Sequence, residues 1–213
     1  MSLTTDLGRR IELVSMDPHF HNISIALYRQ DDSKGTVFLV HSYSGKQGTQ
    51  RRVEFVAQAM AILGGMEPVA REPQKLRFPC QVDHQLACRR VFLEACKLDP
   101  NVPFEARPLN LLDKKSNRTI TLVHQGKGIY HLSADGAEEE KANRISAVAG
   151  GLIKLGQMQM VEPASDRVAF SCGQAHDALV GLLLIRALNV RAVLRELEMA
   201  ASRGILSAPS AQK

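Results

Sequence analysis

The chain carries the same pattern twice, and that restricts its fold more than any other feature. Val53 to Leu98 aligns without a gap against Ile145 to Val190, an offset of 92, and ten of those 46 positions are identical. Val56/Val148, Leu63/Leu155, Gly64/Gly156, Phe78/Phe170, Cys80/Cys172 and His84/His176 are among them. Upstream, Thr36 to His41 resembles Thr119 to His124 at an offset of 83, which implies nine extra residues in the second copy, between His124 and Ile145. Self-similarity at a fixed period means that each copy builds the same unit.

Each copy reads as β-β-α-β-α. Ile23, Ile25 and Leu27 alternate with polar residues, the mark of a half-buried strand, and Asp31 to Gly35 turns the chain back into Thr36 to His41. Phe104 to Leu112, a turn over Asp113 to Arg118, and Thr119 to His124 read as the second hairpin, with Pro108 on an edge or at a bulge. Val53, Val56, Met60 and Leu63 recur at helical spacing, as do Ile145, Val148, Leu152 and Leu155. Gly64-Gly65 fits a helix C-terminus. Lys75 to Cys80 and Arg167 to Cys172 follow as strands, expected to run parallel to the preceding strand through a right-handed crossover. Asp83 to Leu98 is a second helix, and its counterpart begins near Gln174 and continues toward Ser202. Ala178 to Val190 is apolar nearly all round, so it is either buried between layers or forms a homo-oligomer contact through this C-terminal helix.

The expected fold class is α/β (α+β-like): an internal duplication of a β-β-α-β-α unit, with mixed sheets, helices packed on them and a pseudo-two-fold arrangement. Residues 1–18 form an N-terminal extension, either a short amphipathic helix or an extra strand around Ile11 to Met16. Residues 19–100 are the first repeat and 101–203 the second. Residues 204–213, rich in Ser, Ala and Pro, read as a disordered tail.

Composition narrows the function classes. Hydrophobic residues are 45% and charged residues 23% of the 213, ordinary for a globular chain, and no apolar stretch is long enough to span a membrane. With no signal-like N-terminus, a cytoplasmic location is expected, with reduced cysteines. A net charge of +5 spread evenly along the chain permits nucleic-acid binding without arguing for it, and aromatics at 5% with no Trp leave few residues for base stacking.

Three groups of residues suggest chemistry. His41, Cys80 and His84 in the first copy match His124, Cys172 and His176 in the second, each set expected at strand ends and a helix start. A Cys beside a His suits nucleophilic catalysis, and thiolate and imidazole equally suit zinc. The absence of any CxxC argues against a zinc knuckle, and the plainer reading is a small core Cys with partly buried capping histidines. Gly45, Lys46 and Gly48, in the loop Ser44 to Thr49, suit an anion at a helix start, although the loop is not a Walker A sequence and reads more simply as a polar turn. His19 and His21 form at most half a metal site, so no metal set is assigned. Cys88 and Cys96 read as core residues. No GxSxG, HExxH or EF-hand pattern occurs, and the sequence specifies no cofactor. The reading favoured is a non-catalytic binding or assembly module built as an intramolecular pseudo-dimer. The alternatives are a small-molecule enzyme with a Cys/His site and, behind it, nucleic-acid binding through a basic surface.

Overall fold

The computed structural model describes residues 10–16, 24–42, 47–113, 117–162 and 164–188. The chain is mixed α/β, with two antiparallel five-stranded sheets and four helices among the described residues. In the first sheet β1 (Arg10–Met16), β2 (Ser24–Asp32), β3 (Gly35–Ser42), β4 (Glu67–Val69) and β5 (Glu72–Arg77) lie in the order β1-β2-β3-β5-β4. In the second, β6 (Asn110–Asp113), β7 (Arg118–His124), β8 (Ile129–Ala134), β9 (Gln159–Met160) and β10 (Arg167–Ala169) lie in the order β6-β7-β8-β10-β9. Helix α1 (Gln47–Gly64) joins β3 to β4, and α2 (Gln85–Lys97) follows β5. Helices α3 (Glu138–Gly156) and α4 (Asp177–Ala187) hold the corresponding places in the second half.

Two expectations are corrected. The strand before each second helix is antiparallel to the strand before the first, so the sheets are not mixed. The reason is β4, a three-residue strand that leaves α1 and reverses through Ala70-Arg71 into β5; β9 does the same before β10. Such short strands carry too few residues to show a period of two. Thr36 to His41 and Thr119 to His124 are also not counterparts, because they lie in β3 and β7, the third and second strands of their sheets. The counterpart of β3 is β8, in the stretch taken for an insertion. Phe38 pairs with Leu76 and Tyr130 with Val168, each 92 residues apart from its match. Consecutive hairpins in a meander share one alternation, so a slip of a whole strand leaves most of the apolar pattern in place, with only Phe38 falling on a polar residue, Thr121.

The helical stripes pack as their spacing requires. Val53, Val56, Met60 and Leu63 are buried, as are Val148, Leu152 and Leu155, while Ile145 is partly buried against the same core. Gly64 and Gly156 are packing residues. An added Cβ would lie 3.1 Å from Val91 Cγ1 in the first half and 2.6 Å from Leu183 Cδ1 in the second. The left-handed residues ending the two helices are Gly65 and Gln157 (φ 60° and 56°). One continuous core crosses both halves, with α1 against α4 and α2 against α3 and α4. Val180 and Leu182 to Leu184 are buried inside the chain, so the homo-oligomer contact expected of Ala178 to Val190 is not needed to cover them. Residues 189–213 lie outside the described residues, including the helix expected to run toward Ser202 and the expected tail. No helix among the described residues is long and apolar enough to cross a membrane.

Candidate metal centre

Each half presents its cysteine on a tight turn. After β5, Phe78 enters the core and its carbonyl accepts from the Gln81 amide at 2.9 Å; after β10, the Phe170 carbonyl accepts from the Gly173 amide at 3.1 Å. The residue after each cysteine is left-handed, Gln81 at φ 61° and Gly173 at φ 69°. Three residues further on the chain enters a helix, with His84 and His176 at the N-cap positions of α2 and α4. Neither ring makes the capping hydrogen bond expected of a cap residue. Each faces the sulfur of its own half instead: Cys80 Sγ to His84 Nε2 is 3.1 Å and Cys172 Sγ to His176 Nε2 is 3.2 Å.

The tertiary fold brings these two pairs together. The His84 and His176 rings meet edge to face with centroids 4.8 Å apart, and one donor atom from each of Cys80, His84, Cys172 and His176 lies within 4.8 Å of the others. Phe78 and Phe170 wall the cluster, each packing edge-on against both imidazoles at 5.0–5.6 Å. The histidines are nearly sealed, at 3% and 4% exposure, while both cysteines are half-buried.

Burial sets the protonation. It pushes the His84 imidazole down to about 4. His176 is also pushed down to about 4 by burial, with His84 adding to the effect and Asp177 opposing it. The Cys80 thiol is pushed up to about 11, mainly by burial and further by the adjacent Cys172, against a hydrogen bond from the Val82 backbone. Left to themselves, these two imidazoles and the Cys80 thiol are therefore neutral near pH 7. An activated Cys–His nucleophile needs the opposite, a thiolate beside a base titrating near neutrality.

The supports differ between halves. His84 follows Asp83, whose Oδ2 accepts from Arg29 Nε at 2.8 Å. At His176 the Tyr130 hydroxyl accepts from the backbone N–H at 2.7 Å and donates to Asp177 Oδ1, also at 2.7 Å. Hairpin glycines buttress both junctions: a Cβ on Gly35 (φ +113°) would lie 2.4 Å from the Gln81 carbonyl oxygen, and one on Gly128 (φ +68°) 2.6 Å from that of Gln174.

His41 and His124, expected to complete a set in each half, are exposed at strand ends and are not part of the cluster. His41 packs against Tyr28 and His124 against Tyr130. Gly45 and Lys46 lie outside the described residues, as do His19 and His21, and Gly48 is exposed in the first turn of α1. Cys88 and Cys96 are buried in α2. The sequence reading did not include Gly35, Gly128, Tyr130 and Asp177 among the site residues; the register match of Tyr130 to Phe38 is the signal that leads to the last two. No known protein family, curated protein or solved structure matches this chain.

Proposed function

We propose that the chain is a non-catalytic metal-binding module, a pseudo-dimer of duplicated halves closed by a zinc-type centre of two thiolates and two imidazoles. One observation carries this reading: two Cys-x3-His segments 92 residues apart converge until their four donor atoms lie within 4.8 Å. A tetrahedral zinc with bonds of about 2.3 Å to sulfur and 2.0–2.1 Å to nitrogen needs sulfur–nitrogen edges of about 3.6 Å. The thiol–imidazole contacts of 3.1 and 3.2 Å are shorter by a few tenths of an ångström, so a slight opening of the two turns seats the ion. Neutral imidazole is the ligating form, and a bound dication reverses the penalty on the Cys80 thiolate.

Four protein donors fill the tetrahedron, which is the pattern of a structural centre and leaves no position for a substrate. The helix contacts favour the pseudo-dimer: α1 with α4 and α2 with α3 exchange under a two-fold, and α2 with α4 maps onto itself. The enzyme reading retains the short Cys80–His84 distance in its favour, and the neutral protonation pattern against it.

Cobalt substitution tests the proposal. The full reduced chain should take one Co2+ and give the visible bands of tetrahedral cobalt with a thiolate-to-cobalt charge-transfer band. Cys172→Ser and His84→Ala should lose the spectrum while keeping the far-ultraviolet dichroism, and Cys88→Ala should keep both. Octahedral cobalt only, or an unchanged spectrum in the ligand variants, overturns the assignment.

A further inference from the structure

The four donors are not equally sheltered. His84 and His176 are nearly sealed behind Phe78 and Phe170, whereas Cys80 and Cys172 are half-buried beside the exposed residues Pro79, Gln81, Ser171 and Gly173. A small solute therefore reaches the centre from its sulfur side. The two sulfurs lie within 4.8 Å of each other, on turns rather than inside helices or strands. A disulfide needs them at about 2.05 Å, a closure that two turns can make more readily than two packed elements. The remaining cysteines, Cys88 and Cys96, are sealed in the core and make no competing target.

Resting on the metal-centre reading, we propose that Cys80 and Cys172 are its oxidant-sensitive element: a hydroperoxide converts them to a disulfide joining the two halves, and the metal leaves. One metal-bound thiolate attacks the peroxide oxygen, so an S–O bond forms, the O–O bond breaks and the alkoxide or hydroxide released takes a proton. The second thiolate attacks the resulting sulfenic sulfur; the S–S bond forms, the S–O bond breaks and hydroxide leaves to be protonated as water. Two thiolates lose two electrons, the peroxide gains two electrons and two protons, and Zn2+ is released because only the two imidazoles remain to hold it. The new link closes a loop from residue 80 to residue 172, so the halves stay joined after the metal has gone.

The test loads the full reduced chain with zinc, adds hydrogen peroxide, and follows zinc with a chromophoric chelator and the protein by intact mass and peptide mapping. The expected result is loss of the bound zinc in step with a mass decrease of two hydrogens, a Cys80–Cys172 peptide, unmodified Cys88 and Cys96, and recovery of zinc binding after dithiothreitol. Cys88→Ala should respond as the parent does. If zinc binds but peroxide leaves it in place, or the disulfide involves Cys88 or Cys96, this inference falls and the metal centre stands. If no zinc binds at the outset, the metal-centre reading falls and takes this inference with it.

Discussion

The two halves hold the same pair of side chains by different means. In the first, the residue preceding the histidine is Asp83, tied by an ion pair to Arg29 on β2. In the second, the aspartate follows the histidine, and Tyr130 on β8 bridges Asp177 and the His176 amide. The position matching Tyr130 is Phe38, which packs edge-on against Phe78 and has no hydroxyl to offer. Both halves nonetheless keep Phe, Cys, a left-handed residue and His in the same order. A ligating imidazole needs only a fixed backbone and a fixed ring, and any anchor of the right reach supplies them. In the proposed centre the ligands constrain residue identity, whereas their supports constrain position alone.

The largest effects should come from what the halves share. Leu63 and Leu155 are buried at matching places in α1 and α3, so Leu63→Ala and Leu155→Ala should each cost about 2–5 kcal/mol. Because one core crosses both halves, either substitution should shift a single urea transition seen alike by fluorescence and dichroism. Two separate transitions would break the comparison by making the halves independent folding units.

Next come the unequal supports. Tyr130→Phe installs the first half's residue and leaves Asp177 Oδ1 and the His176 amide without their bridge, a loss of about 1–3 kcal/mol. Asp83→Asn weakens a partly exposed ion pair and should cost about 0–1 kcal/mol. Urea midpoints of the two variants check the order, and equal midpoints would show that the two anchors carry the same weight.

The smallest effect belongs to the first half alone. Arg77 Nη2 donates to Asp32 Oδ2 at 2.7 Å, and Ala169 stands at the matching place in the second half. Partial burial works against the Asp32 carboxylate, yet the Lys34 amide and the Arg77 guanidinium hold its pKa below the usual 3.8. A depressed carboxyl stabilises the fold above its unfolded pKa and loses that contribution as pH falls through the folded value. Arg77→Ala should therefore cost about 0.5 kcal/mol at neutral pH, and the difference from the parent should vanish in acid below the folded pKa. A gap independent of pH would assign the effect to the packing of the Arg77 stem.

Much of this architecture was legible in the sequence because it is local. The stripes of α1 and α3 and the β2–β3 hairpin follow from the periods 3.6 and 2. Of the six residues singled out at strand ends and helix starts, Cys80, His84, Cys172 and His176 come together, and the fixed offset placed one Cys/His pair in each half. The errors came where periodicity carries no information. β4 and β9 are too short to alternate, so their reversals were invisible and the sheet direction was misread. The shift of β3 onto β7 preserved every apolar position but Phe38, which falls on Thr121, so little in the pattern opposed it.

The sequence by itself determined the elements with a clear period, the repeat of their order and the pairing of each cysteine with a histidine four residues on. These follow from backbone geometry and burial within a short stretch of chain. Only the tertiary structure decided that the two pairs meet. Burial of α4 against α1, and of α2 against α3 and α4, sets one half on the other, and that packing brings Cys80 and His84 to Cys172 and His176. It likewise left His41 and His124 outside, at the exposed ends of β3 and β7. A cluster whose halves lie 92 residues apart has no local spacing to show, since its geometry arises from how the helices pack.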